Sequence, residues 1–146
     1  MPLPGSAKCA PSVLNPVVGI DFMWLADSNI LIRAASAPDH PLQEWLQSQL
    51  PVISVVTRIE VLGFHRLRPD EDILLRVFLS SFDEYPITMQ TAALAIDLRR
   101  QRKMSLGDAL IAATCLEHGL KLATRNTSDF DWIAGLSLDA LTGLAE

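Results

Sequence analysis

From Met23 onward the chain alternates between short continuous apolar runs and longer stretches with apolar residues at helical spacing. The run Met23–Ala26 predicts a short buried strand. A helix is expected to begin just after Asn29 and to run to about Ala35. Ala37-Pro38-Asp39-His40-Pro41 is turn chemistry, followed by a helix over Leu42–Leu50 with Trp45 and Leu46 inward. Val52–Val56 (VISVV) is continuous and mostly β-branched, as in a parallel strand buried on both faces. Helices are expected from Thr57 to about Leu67 and over Asp70–Phe82, the latter with Ile73, Leu74, Val77 and Phe78 at helical spacing. A strand over Tyr85–Thr88 precedes two helices, Met89–Lys103 and Ser105–His118, split near Met104. Gly119 suits the residue after a helix end, Leu120–Thr124 reads as a strand, and Leu136–Leu141 as a last short one. Strands that alternate with helices predict an α/β fold whose mainly parallel sheet is covered on both faces.

The first 22 residues break this pattern. Residues 1–19 hold four prolines and two glycines without periodicity. Lys8 is their only positive charge, and no apolar core of a secretory signal follows it. Residues 1–22 are therefore expected to be a flexible extension and residues 23–146 the folded domain. Met23 is then a candidate start of the native protein.

Composition narrows the class. The chain has 146 residues, 49% hydrophobic and 20% charged, enough for one domain with its own core. No apolar run approaches the roughly 18 residues of a membrane helix, so no membrane association is expected. Cys9 and Cys115 lack metal-type spacing, which fits a reduced, cytoplasmic chain. A net charge of −5 argues against binding nucleic acid through a generally basic surface. It does not argue against a nuclease, because four acids committed to cations would leave the remainder at only −1.

Asp27, Glu60, Asp108 and Asp129 stand out, and each has an ordinary structural use. Asp27 and Asn29 suit the turn and cap between strand and helix. Thr57-Arg58-Ile59-Glu60 has capping-box spacing, as does Ser105-Leu106-Gly107-Asp108, and Thr127-Ser128-Asp129 suits a turn. Together they say more. Ligands of open parallel sheets bind beyond the carboxyl ends of the strands, which is where Asp27, Glu60 and Asp129 fall; Asp108 is not placed there by this rule. Carboxylates brought close together repel unless a cation lies between them, and hard oxygen donors suit Mg²⁺ or Mn²⁺. Other chemistries lack support: there is no G-x-S-x-G elbow, no phosphate-binding glycine loop, and no histidine placed as a base. Cys115 reads as a buried, inert thiol and His118 as a partner of its helix C-terminus. Arg99, Arg100, Arg102 and Lys103 make a basic helix end, open to a solvated face or to phosphate contact.

The blocks LADSNILI, SVVTRIEVLGF and SLGDALIAATCLEHGLKLATRNTSDF resemble the PIN-domain ribonucleases, and among them the VapC-type toxins of bacterial toxin–antitoxin pairs. The resemblance spans Met23 to Leu141. It implies a PIN-like three-layer α/β/α sandwich and a metal-dependent endoribonuclease acting on RNA. Asp27, Glu60, Asp108 and Asp129 match the family's acids, and by that match Asp108 joins the site. Asn29 matches the amide beside the first acid, and Thr124 and Asn126 the pair that orients the last one. Arg125, next to the site, is a candidate phosphate clamp. Position 28 is serine where the family often has threonine. The resemblance further implies Mg²⁺ or Mn²⁺, a cognate antitoxin protein and a homodimer. The apolar residues of Leu42–Leu50 and Asp70–Phe82 are open as partner surface or core. A non-catalytic RNA-binding or scaffold protein of this fold, or a DNA-directed nuclease of related fold, is the alternative.

Overall fold

The computed structural model describes residues 23–144, so expectations for residues 1–22 lie outside the described residues. Five short strands and six α-helices follow one another as β1 (Trp24–Ala26), α1 (Ser28–Ser36), α2 (Pro41–Gln49), β2 (Ile53–Ser54), α3 (Val55–Leu62), α4 (Pro69–Leu79), β3 (Glu84–Tyr85), α5 (Met89–Gln101), α6 (Leu106–His118), β4 (Lys121–Ala123) and β5 (Leu138–Asp139), with a 3-10 turn at Thr127–Asp129. All pairings are parallel. β1 pairs with β4 and β4 with β5, while β2 pairs with β3. The two groups join at a bridge between Leu25 and Val52, with hydrogen bonds Ala26 N to Val52 O (3.1 Å) and Val52 N to Trp24 O (2.8 Å). The sheet therefore runs β3-β2-β1-β4-β5.

Alternation along these strands builds the three layers, because successive side chains of a strand point to opposite faces. Leu25, Val52 and Leu122 belong to a core with Ala95 and Leu98 of α5 and with Ala109, Ile111, Ala112, Ala113 and Cys115 of α6. Their neighbours Ala26, Ile53 and Ala123 belong to a second core with Ile30, Leu31 and Ala34 of α1, Leu42 and Leu46 of α2, Val61 of α3 and Leu79 of α4. The sheet is thus covered by α5 and α6 on one face and mainly by α1, α2 and α4 on the other, the expected α/β/α arrangement. Among the described residues no helix is long and apolar enough to cross a membrane.

Several boundaries differ from expectation for local reasons. α1 begins at Ser28, one residue after Asp27, which is its N-cap; Asn29 lies inside the helix. VISVV does not continue as a strand. Ser54 has extended backbone and its hydroxyl accepts from Val56 N at 3.0 Å, so it caps α3 and the helix takes Val55 and Val56. Thr57 is consequently a fully buried helical residue rather than a cap, and among the described residues its hydroxyl has no partner. α3 ends at Leu62, where Gly63 caps it. Gly119 adopts φ +65° beyond α6, the left-handed geometry that glycine takes at low cost.

The apolar residues left open as core or partner surface divide. Leu42 and Leu46 are core, whereas Ile73, Leu74 and Val77 are 63%, 69% and 65% exposed. Trp45 packs edge-on against Trp24 with ring centroids 5.1 Å apart.

The cap assignment has a measurable consequence. Ser54→Ala is expected to cost about 1 kcal/mol of stability through loss of the cap. Thr57→Val is expected to be neutral or stabilising, because it replaces a buried hydroxyl without a partner by a methyl group. Guanidinium denaturation of the two variants checks this, and the reverse order would restore Thr57 as the cap.

Candidate active site

Asp27 follows β1 directly and is 5% exposed. Its amide continues the sheet ladder to Ala123 O at 3.0 Å, and its carbonyl accepts from Ile30 and Leu31 as α1 begins. The side chain is held at both oxygens. Oδ1 accepts from Ser28 N (2.8 Å); Oδ2 accepts from Thr124 Oγ1 (2.9 Å) and Asn29 Nδ2 (3.3 Å). Asn29 also reaches across the sheet edge: its Nδ2 donates to Thr124 Oγ1 (3.2 Å), and its Oδ1 accepts from Arg125 N (3.1 Å). Asn126 N donates to Thr124 Oγ1 at 3.1 Å. Asp27 is the helix cap, and the same position at a strand-to-helix junction is open to a site acid.

Thr124 was expected to orient Asp129, and here the structure differs. Its hydroxyl donates to Asp27, because residue 124 directly follows β4, the strand beside β1. Asn126 precedes the 3-10 turn, and its backbone carbonyl, rather than a side-chain cap, accepts from Asp129 N at 3.0 Å. Arg125 is exposed beside this loop.

The other acids arrive from separate elements. Glu60 lies one and a half turns into α3, on its exposed side. Asp108 is in the first turn of α6, where Ser105 Oγ accepts from its amide at 3.1 Å. Asp129 closes the 3-10 turn, its side exposed and its carbonyl accepting from Trp132 Nε1 at 3.0 Å.

Three of the four acids have raised pKa values, with burial the largest cause and neighbouring acids contributing. Burial raises the pKa of Asp27 above the ordinary carboxylate value, and the charge of Asp129 adds to this, against the hydrogen bonds from Thr124, Ser28 and Asn29. Burial also raises Glu60, reinforced by Asp27 and Asp108 and opposed by a hydrogen bond with Ser28. Asp108 is raised by burial first, then by Asp27 and Asp129, with Ser105 opposing. Asp27 and Asp108 form the middle of the group, and Glu60 and Asp129 each join it through them. No lysine or arginine ion-pairs with any of the four among the described residues. Nor do three histidine, cysteine or acidic side chains among those residues already close around one point. Asp27, Glu60 and Asp108 thus carry raised pKa values without a counter-charge from the chain, and carboxylate oxygens are the donor type that hard divalent cations take.

Two contributors were not singled out as site residues from the sequence. Ser28, the neighbour of the first acid, acts on the second by holding the raised pKa of Glu60 down. Gly107 lets Glu60 approach the start of α6, since a Cβ there would stand 3.0 Å from Glu60 Oε2. A glycine directly before an acid in a helix's first turn is the signal that was available.

Family comparison then decides the class. The PIN domain model matches residues 25–136, most of the chain. The chain belongs to the PIN-domain family. That family is one of nucleases. Among solved structures, this PIN-domain protein is similar to a toxin–antitoxin complex from Klebsiella pneumoniae, at 34% identity and TM-score 0.66, covering 77% of this chain and 94% of that one. It is similar to FitAcB from Neisseria gonorrhoeae at 26% identity and TM-score 0.63, covering 80% and 96%. VapBC2 from Rickettsia felis, bound to a DNA fragment from their promoter, shares the fold at 19% identity and TM-score 0.72, covering 80% and 97%. No curated protein sequence matches the chain.

The burial and the acid–acid repulsion that raise Glu60 in this PIN-domain protein are testable through its pH dependence. Below the ordinary value of 4.5, Glu60 is protonated in folded and unfolded chains alike. Above it the unfolded chain ionises first, so the raised folded pKa becomes a penalty on the folded state that grows with pH. Metal-free Glu60→Gln is therefore expected to have the higher denaturation midpoint at pH 8, with the gap over wild type closing as pH falls toward 4.5. A gap that is reversed at pH 8 would contradict the repulsion.

Proposed function

We propose that this PIN-domain protein is a metal-dependent endoribonuclease that hydrolyses RNA phosphodiester bonds, acting as the toxin of a toxin–antitoxin pair. What supports the reading is that Asp27, Glu60 and Asp108 have raised pKa values to which neighbouring acids, Asp129 included, contribute, with no ion-paired cation beside them among the described residues. Bound there, Mg²⁺ or Mn²⁺ supplies Lewis acidity, favouring ionisation of a water and offsetting negative charge on the phosphate.

The chain's own part is to hold and orient. Asp27, Glu60 and Asp108 are assigned as direct or water-mediated ligands, and Asp129 as an outer one. Thr124 and Asn29 fix the Asp27 carboxylate so that its donor direction is set before substrate arrives. Arg125 has a guanidinium free to face a phosphate. Asn126 acts through its backbone, which shapes the loop of Asp129.

A cognate antitoxin and a homodimer belong to the same reading. A groove of about 820 Å³ among α1, α3 and α4 is lined by Ile32, Phe64, Leu74 and Phe78, and Glu60 also lines it. A partner segment lying in this groove would reach an acid of the site. That the solved relative from Klebsiella pneumoniae is a toxin–antitoxin complex supports this assignment.

The test is cleavage of structured RNAs by purified protein with Mn²⁺. Wild type is expected to cleave RNA and to spare DNA of the same sequence, and chelation should stop it. Asp27→Ala is expected to lower the rate by about a hundredfold or more, the upper scale for disturbing a metal site. Equal cleavage by Asp27→Ala would assign the activity to a contaminant and overturn the proposal.

A further inference from the structure

A second concave feature lies outside the acid group, at the C-terminal end of α5. It encloses about 480 Å³ and is lined by Ile96, Arg99, Arg100, Lys103 and Met104. The size falls within the range of small-ligand sites. Its chemistry is divided: Ile96, 54% exposed, and Met104 give an apolar floor, while three cations stand around it. Residues 99–103 carry four of the chain's twelve lysines and arginines in an acidic protein. None of the four makes an ion pair among the described residues. A solvated helix end would account for the charge, but not for an apolar floor beneath it.

Two contacts tie this pocket to the acid site. Arg99 Nε donates to Met104 O at 3.3 Å, which closes the pocket against the segment entering α6. Ser105, the next residue, caps α6 by accepting from Asp108 N. On the other side, the Arg102 guanidinium lies 5.4 Å above the Trp132 ring, and Trp132 Nε1 is bonded to the carbonyl of Asp129. The segments bearing Asp108 and Asp129 are thus bridged by an Arg–Trp stack at the pocket's edge.

We infer that this pocket receives one nucleotide of a single-stranded RNA flanking the scissile phosphodiester. The base lies on Ile96 and Met104, and Arg100 and Lys103 hold its phosphate. An unstacked base needs an apolar or aromatic bed and a cationic rim for its backbone, whereas a duplex offers neither of its bases to such a pocket. This inference rests on the nuclease reading of the acid site and adds to it the direction in which the strand leaves that site. Arg100 and Lys103 are positioning residues in this scheme.

The test measures binding without turnover. Full-length protein in EDTA is titrated into a fluorescein-labelled single-stranded RNA dodecamer, and anisotropy is read over a range of salt. Arg100→Ala/Lys103→Ala is expected to weaken binding about tenfold. It should also lower the slope of log K against log salt by roughly 1.4, since each lost phosphate contact on a single strand contributes about 0.7. Ile96→Ser should weaken binding while leaving that slope unchanged. Arg66→Ala/Arg76→Ala removes the same charge elsewhere and should change affinity less than about twofold. Wild-type binding with Arg100→Ala/Lys103→Ala no weaker than this control overturns the inference alone. Wild type that binds no RNA at all overturns the RNA reading of the acid site and the inference together.

Discussion

A buried carboxylate at the end of the central strand is the constraint on which this structure turns. Removing the charge of Asp27 from water is costly unless hydrogen bonds replace the lost hydration. Ser28 N, Asn29 Nδ2 and Thr124 Oγ1 supply them. Two of these donors belong to the turn that starts α1, and the third to the end of β4. Satisfying one side chain therefore joins the carboxyl ends of two neighbouring strands, and the Asn29 bond to Arg125 N extends the link into the next loop. The result is a stiff edge at the place where parallel sheets present ligand sites.

The remaining acids come to that edge through helix starts and turns rather than through strands. α3 leaves β2 without a linker because Ser54 is both the last strand residue and the cap, which fixes the angle at which Glu60 is delivered. α6 contributes Asp108 from its first turn, where the helix N-terminus favours negative charge. Gly107 admits Glu60 beside it. Hydrogen bonds stabilise the Asp27 carboxylate, while burial first and neighbouring acids second raise the proton affinity of Asp27, Glu60 and Asp108. This opposition is poor design for stability alone, and the divalent cation of the proposed function would relieve it.

The far side of the molecule follows another logic. Thr88 caps α5 and forms a capping box with Thr91, and both hydroxyls donate to Glu117 of α6. This polar tie holds the two helices as a unit against the sheet. Glu117 is thereby separated in role from the four acids of the candidate site, although sequence alone offered no reason to treat it differently. The exposed apolar residues of α4 show the same limit. Ile73, Leu74 and Val77 have the spacing of a buried helix face, yet the face they occupy is turned to solvent.

Much was legible in the sequence because it is local or repetitive. The strand-helix alternation, the four acids, the glycine after α6 and the inert buried Cys115 depend on side-chain type and short spacing, which a linear chain displays directly. The strand-to-helix boundary at VISVV was not legible, since β-branched residues suit a buried strand and a buried helix turn alike, and only the Ser54 cap decides between them. Which acid Thr124 serves was not legible either, because β1 and β4 are neighbours only once the sheet has formed. The sequence by itself determined the inventory and its order: which donors exist, and on which elements. Tertiary structure alone decided the partnerships, because hydrogen bonds and Coulomb forces act over a few ångströms of space and take no account of the 95 positions that separate Asn29 from Thr124 in the chain.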